Sequence, residues 1–261
     1  MRKKTIRAVS RRDRELPHSD GDGNWIHNEI LLSLSVEESR IVFPKLELVR
    51  LRPRQVMHEV GDTLKSAYFC NSGMISILST FPNGKSIEIA VVGKEGFIGL
   101  PLIAGFRSAG TRAIVQLEAT AFRIDASVLE GMLLQCIGLE RRLQQCSQVM
   151  SAQISQIAAC NLLHQVKERL ARWLLMCQDR TGSDTMALTQ ELLAEMLGTR
   201  RSSVTVAAGQ LQKAGLIVCR RGHVKIQNRT RLVHVACECY QAMRRQARVW
   251  HTQAGVARPG A

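Results

Sequence analysis

The sequence predicts an α+β chain in three parts: an N-terminal antiparallel β-roll of jelly-roll type, a long central dimerisation helix, and a C-terminal winged helix-turn-helix. Three observations carry this. Short apolar runs between Leu46 and Phe122 are punctuated by glycines, and a seven-residue repeat runs through residues 128–160. Residues 189–217 then place helix-starting and helix-stopping residues in the order of two helices joined by a tight turn. The boundaries that follow are a basic tail over 1–24, the roll over 25–127, the dimer helix over 128–160, the winged domain over 161–231, and a last helix and tail over 232–261.

The first 24 residues mix Arg and Lys with Ser, Gly and Asp and contain no apolar run. They read as a disordered tail rather than a signal peptide or membrane span, and a cytoplasmic location with no membrane partner is expected. In the roll, the runs at 46–49, 67–69, 74–78, 87–92 and 113–117 alternate in part, with Gly61, Gly73, Gly84, Gly93 and Gly96 between them. Glycines at such intervals suit a string of hairpins, and Pro82-Asn83-Gly84 is the sharpest turn signal.

In the central helix, Cys136, Leu139, Leu143, Cys146, Met150, Gln153, Ile157 and Cys160 fall at alternating spacings of three and four. That is the a/d seam of a two-stranded coiled coil, which predicts a homodimer. An ordinary amphipathic helix lying on its own roll is the other reading, and its wider stripe also needs Ile154. A following helix over 161–178 turns Leu162, Leu163, Val166, Leu170, Trp173 and Leu174 inward, and residues 179–185 form a short linker.

The winged segment is the most specific. Thr189 is a good N-cap, Leu192, Leu193, Met196 and Leu197 make an apolar face, and Gly198 ends the helix. A second helix buries Val204, Ala207, Ala208 and Leu211 and displays Arg201, Ser202, Thr205 and Val206 near its start. Gly209 weakens it by about 1 kcal/mol relative to alanine, which suggests a close packing point. Residues 216–218 and 224–226 flank Arg220-Arg221-Gly222-His223, a hairpin with a basic tip. A further helix is expected over 232–250.

Charge sharpens the functional expectation. The net +14 divides into +11 from residue 199 onward, where 12 Lys/Arg face only Glu238, +3 from the first 24 residues, and zero between. A cationic surface gathered on one lobe is what displaces counterions from a phosphate backbone. Double-stranded DNA is therefore the expected partner, with Arg201 reading bases, Ser202, Thr205 and Val206 beside it, and Thr189, Arg200, Ser203, Arg221, His223 and Lys225 around them. An enzyme is not expected, because the chain has no phosphate loop, no Gly-x-Ser-x-Gly, no His-Glu-x-x-His and no paired carboxylates with a role. An effector-binding module acting through a protein partner is the rival, and it leaves residues 199–231 without a purpose.

From Leu188 to Ile217 the chain resembles the winged helix of the Crp/Fnr superfamily of bacterial transcription regulators, and the resemblance runs from about Asn28 to Arg229. In that family the recognition helix opens with Ser-Arg-Glu-Thr-Val or a variant; Arg200-Arg201-Ser202-Ser203-Val204 stands there. Arg201 matches the arginine that reads guanine, while Ser202 replaces a glutamate and Val206 a frequent arginine, so a different operator is implied. The resemblance also implies RNA polymerase and a small-molecule effector as partners. Its nucleotide roll is matched at Gly61-Asp62, Tyr68-Phe69, Gly73 and residues 95–99.

The effector pocket implied by the resemblance comprises Gly99, Leu100, Arg107, Ser108, Arg112 and Ser155. Leu100 replaces the glutamate that holds the ribose, Arg107-Ser108-Ala109 matches the phosphate element by type, and Arg112 competes with Arg107 for that role. A cyclic nucleotide, another ligand and a purely structural roll all stay open. The family's iron–sulfur sensors carry N-terminal cysteines, and this chain has none before Cys70. Cys160 with His164, Cys219 with His223, and Cys237-Glu238-Cys239 read as isolated pairs, so no metal or other cofactor is expected.

Overall fold

The computed structural model describes Ser19 and residues 23–254; most of the basic tail expected over 1–24 lies outside these. Two short helices, α1 (Glu29–Leu32) and α2 (Val36–Val42), lead into the roll. Its strands are β1 (Glu47–Leu51), β2 (Val56–His58), β3 (Ser66–Thr80), β4 (Ser86–Val92), β5 (Phe97–Ile98) and β6 (Arg112–Asp125). All pair antiparallel in the order β1-β6-β3-β4, with β2 on β6 and β5 on β3. The predicted hairpin at 82–84 joins β3 to β4, with Gly84 at φ +77°.

Gly73 is not a turn. The two runs it separates are one 15-residue strand, and the glycine sits where the β3–β6 register shifts. Its φ is +77°, and a Cβ there would collide with the backbone of Glu118 and Ala119, so a bulge takes the position that a hairpin was expected to take.

The helical segment expected over 128–160 is also divided. Helix α3 (Ala126–Leu133) is capped by Asp125 and ends before Cys136, and α4 (Ile137–Leu163) begins after it. Cys136 supplies no side-chain cap to α4. Glu38 of α2 does so instead: its Oε1 accepts from the backbone N–H of Gly138 at 2.7 Å and of Leu139 at 3.2 Å. A carboxylate at that end also opposes the positive pole of the helix.

The stripe assigned to a dimer seam faces the roll of its own chain. Cys136, Leu139, Leu143 and Cys146 are buried among Phe69, Phe97, Leu102 and Phe122, while Met150 and Ile154 pack on the core around Ile75 and Val92. Ile157 and Cys160 are buried as well. Gln153, the expected polar break, receives the backbone N–H of Val91 at 2.8 Å and donates to its carbonyl. Ile154 joining the stripe is the mark of the wider amphipathic face, and that reading replaces the coiled-coil seam.

Helix α5 (Val166–Thr181) starts after a break at His164-Gln165 and ends at Gly182, φ +67°. Leu170, Trp173 and Leu174 are buried as expected, but Leu162 and Leu163 belong to the end of α4 and face solvent. The remaining elements are β7 (Thr185–Ala187), α6 (Gln190–Met196), α7 (Arg201–Lys213), β8 (Ile217–Arg220), β9 (His223–Ile226), α8 (Arg229–Val235) and α9 (Cys239–Ala254). The single helix expected over 232–250 is thus two, broken at 236–238.

One core joins roll to lobe: Met74, Leu78 and Val91 lie in the same apolar cluster as Leu170, Trp173, Leu174, Val204 and Leu211. At its centre Glu88 is fully buried, accepting from Ser76 Oγ and from Trp173 Nε1, each at 2.7 Å. Burial raises its carboxyl from 4.5 to about 7, against the pull of these two donors and of Arg172 and Arg180. The folded chain therefore holds this proton more tightly than the unfolded one. The resulting stability is fully present below about 4.5 and is lost as pH rises through about 7. Glu88→Gln keeps an acceptor for Trp173 and should match wild type at pH 5 while gaining up to about 3 kcal/mol on it at pH 8. Denaturant melts at the two pH values check this; parallel curves would refute it.

Candidate nucleic-acid interface

Helix α6 starts as the sequence predicts: Thr189 Oγ1 accepts from the backbone N–H of Leu192 at 3.2 Å. Leu193, Ala194, Met196 and Leu197 are buried, and Gly198 follows at φ +56°. Position 198 needs glycine twice over, since a Cβ would also strike the side chain of Ile87 on β4. The turn of the motif is therefore seated on the roll. Beside it, Ser86 Oγ donates to Glu195 Oε1 at 2.7 Å.

Helix α7 buries Val204, Ala207, Ala208 and Leu211. Its outer surface near the N-terminus presents Arg200, Arg201, Ser202 and Thr205, with Val206 61% exposed and Ser203 half-buried. Arg200 is the N-cap and makes no side-chain cap bond, so the first N–H groups of α7 keep no side-chain acceptor from it. Two partners were not anticipated. Arg201 pairs with Glu191 at 2.8 Å, and Thr205 Oγ1 donates to Gln190 Oε1 at 2.8 Å. Both lie on the exposed first turn of α6, and spacing within either helix alone gives no signal for them. Gly209, expected at a close packing point, is exposed with nothing near the place of a Cβ, so packing does not account for it.

The wing is β8 and β9 joined through Arg221 (φ +47°) and Gly222 (φ +75°), two left-handed residues as a tight type I′ turn requires. β7 adds a third strand on β9, pairing Thr185 with Lys225. Arg220, Arg221, His223 and Lys225 are exposed, and the ring Nδ1 of His223 lies 3.2 Å from the Arg221 carbonyl. Of the predicted DNA-contacting residues, Arg200, Arg201, Ser202, Thr205 and Val206 are exposed at the start of α7 and Arg221, His223 and Lys225 are exposed on the wing, while Ser203 is half-buried and Thr189 caps α6.

The six residues of the implied effector pocket each have neighbours of their own. Gly99 is left-handed at φ +116°, with Ala67 where a Cβ would stand, and Leu100 packs on the apolar core. Arg107 bonds to Glu130 of α3 at 2.5 Å, and Arg112 lies 3.1 Å from Glu59. Ser108 is exposed, and Ser155 lies on the outer face of α4, donating to the carbonyl of Ser151. Each arginine already has a carboxylate, and α4 meets the roll through Leu139, Leu143, Cys146, Met150 and Ile154 together with Gln153.

The cysteine pairs were misjudged. Cys160, His164, Cys237 and Cys239 come together, with all four potential ligand atoms within 4.8 Å of one another. More than 70 residues of sequence separate the halves, which is why no spacing rule could join them. Cys219 and His223 form no such group among the described residues.

Comparison with known proteins bears on the whole arrangement. Residues 48–136 match the family model of the cyclic nucleotide-binding domain, and residues 168–235 match that of the Crp-like helix-turn-helix domain. No curated protein matches the sequence significantly. Among solved structures, FixK2 from Bradyrhizobium japonicum is 17% identical with a TM-score of 0.63, the similarity spanning 74% of this chain and 98% of that one. A putative regulator of the Crp/Fnr family from Eubacterium rectale is 17% identical at a TM-score of 0.62, over 77% and 94%. The c-di-GMP-responsive regulator CLP of Xanthomonas campestris is 14% identical at 0.62, over 74% and 100%. At such identities these structures establish the fold. No helix among the described residues is long and apolar enough to cross a membrane. With a cyclic nucleotide-binding domain and a Crp-like helix-turn-helix domain matched in tandem and assembled on one core, the chain has the two-domain architecture of the Crp/Fnr family of transcription regulators.

Proposed function

We propose that the protein binds palindromic promoter DNA as a homodimer, α7 entering the major groove while the wing tip meets the flanking backbone. The observation that carries this is the exposed, basic start of α7 beside the basic wing, on a chain whose middle is electrically neutral. Arg201 reads guanine, with Ser202, Thr205 and Val206 lining the same groove. Arg200, Ser203, Arg221, His223 and Lys225 meet phosphates, and the N–H groups at the start of α7 favour an anion there.

The dimer forms on the other side of α4 from the one expected. Ile137, Arg141, Gln144, Gln148, Ser151, Ser155, Ala158 and Leu162 follow the same four-three alternation, and every one of them is exposed in the single chain. Small residues in the middle allow close approach, and Ile137 (75% exposed) and Leu162 (85%) supply apolar area at the two ends. A two-fold axis along this stripe supplies two recognition helices, as a palindrome with half-sites about 34 Å apart requires.

Before DNA arrives, Glu191 occupies Arg201. Both groups are more than half exposed, so the pair is worth less than about 1 kcal/mol and is readily exchanged for a base.

Three tests follow. Arg201→Ala should relax selectivity at one base pair of a selected operator by about 1–3 kcal/mol, whereas Lys225→Ala should weaken all sequences alike and lower the salt slope by roughly one. Binding of both variants indistinguishable from wild type would remove α7 and the wing from the interface. Glu191→Gln deletes a carboxylate facing the phosphates and releases Arg201, so titrations at low salt should show tighter binding to every duplex; unchanged or weaker binding counts against the exchange. Ser155→Glu combined with Leu162→Glu should give monomers by sedimentation with an unchanged melting curve at low protein concentration. A double variant that remains dimeric would place the seam elsewhere.

A further inference from the structure

Four side chains that bind soft metals converge where α4, α5 and α9 meet. Cys160 lies in the last turn of α4 and His164 is its C-cap residue; Cys237 lies in the break between α8 and α9, and Cys239 opens α9. Cys160 Sγ stands 3.4 Å from Cys237 Sγ, and Cys239 Sγ stands 3.6 Å from His164 Nδ1. All four ligand atoms fit within 4.8 Å. A tetrahedral zinc ion with Zn–S near 2.3 Å and Zn–N near 2.0 Å spaces its ligands by about 3.5–3.8 Å. We propose that Cys160, His164, Cys237 and Cys239 form a structural Cys₃His site for a thiophilic divalent cation, zinc fitting it best.

Three further observations point to a ligand rather than to chance packing. The other ring nitrogen of His164, Nε2, lies 3.1 Å from Glu238 Oε1, which turns Nδ1 toward the thiols. A carboxylate holding the far side of the imidazole is the usual support of a metal-bound histidine. Gln156 Nε2 lies 3.0 Å from Cys239 Sγ and offers a donor that a thiolate accepts.

Charge balance is the third. Three thiolates and a neutral imidazole around a divalent ion leave one net negative charge in a place where Cys160, Cys237 and Cys239 are all nearly inaccessible. Arg169 and Arg172 of α5 are buried too, and the Nε of each has no hydrogen-bond partner. Both interact electrostatically with this cluster. Two buried guanidiniums beside three buried thiols make sense once the thiols are ionised, since buried charge is tolerated when it is paired. Loading the site sends the thiol protons to solvent.

The position gives the site a mechanical role. It ties the start of α9 to the end of α4, on the segment that leads into the DNA-binding lobe through α5. Unlike the roll, this site uses nothing of the nucleotide-pocket positions.

The test uses the full-length chain purified under reducing conditions. Elemental analysis should find one zinc per chain, and titration of the stripped protein with Co²⁺ should give the visible bands of a tetrahedral ion together with near-ultraviolet thiolate-to-cobalt charge transfer. Cys237→Ser and Cys239→Ser should abolish the charge-transfer band or reduce affinity at least tenfold. Because those variants could disturb folding, Glu238→Gln serves as a second probe: its carboxylate is exposed, and its loss should weaken metal binding by about tenfold or more while the melting curve of the metal-free protein is unchanged. Chains that carry no metal, give no tetrahedral cobalt spectrum, or are isolated with Cys160 and Cys237 joined as a disulfide would overturn the proposal.

Discussion

The structure depends on the burial of α5 between the roll and the DNA-binding lobe. Trp173 is the largest buried side chain of that helix, and its indole N–H ends on Glu88, which is held from behind by Ser76. Three elements from two domains are thereby fixed by one carboxyl group. Buried polar groups are costly unless satisfied, and here both oxygens are satisfied by donors of fixed geometry. The apolar cluster around them contains residues of β3, β4, α5, α6 and α7, so roll and lobe share their interior instead of meeting at a wet interface. The docking of Gly198 against Ile87, and of Glu195 against Ser86, is the surface expression of the same union.

The winged motif was almost fully legible in the sequence. Its start, its glycine stop, its buried face at Val204, Ala207, Ala208 and Leu211 and its basic tip depend on local rules: a hydroxyl that caps, a residue that tolerates positive φ, an apolar period of 3.6. What lay between two helices was hidden. Arg201 with Glu191 and Thr205 with Gln190 need the crossing angle of α6 and α7, which no period within either helix encodes. Gly209 shows the opposite failure, a residue with an expected packing role that the fold leaves open to solvent.

Helix α4 shows why a correct pattern can be assigned to the wrong partner. A stripe at threes and fours suits a coiled coil and a helix lying on a sheet equally well, and the two periods drift apart by only about 20° per heptad. Ile154 was the discriminating residue, because it widens the buried arc beyond a two-position seam. The outward stripe, with its serines, glutamines and alanine, carries too little hydrophobic signal to be noticed from sequence. The cysteines were missed for a different reason. Their ligand set is assembled by a chain reversal over the whole winged domain, and only the residue types, never the spacing, announced it.

The cap that Glu38 places on α4 has an effect beyond the few tenths to one kcal/mol such a charge contributes at a helix terminus. The first turn of the longest helix in the described chain is gripped by a residue 100 positions earlier, outside the sheet altogether. Rotation of α4 about its own axis would tear two backbone hydrogen bonds from that carboxylate at once. The spindle is therefore keyed at its near end like a shaft in a slotted collar. Turning the rod at that end costs both bonds, a cost that bending or swinging it farther along does not incur.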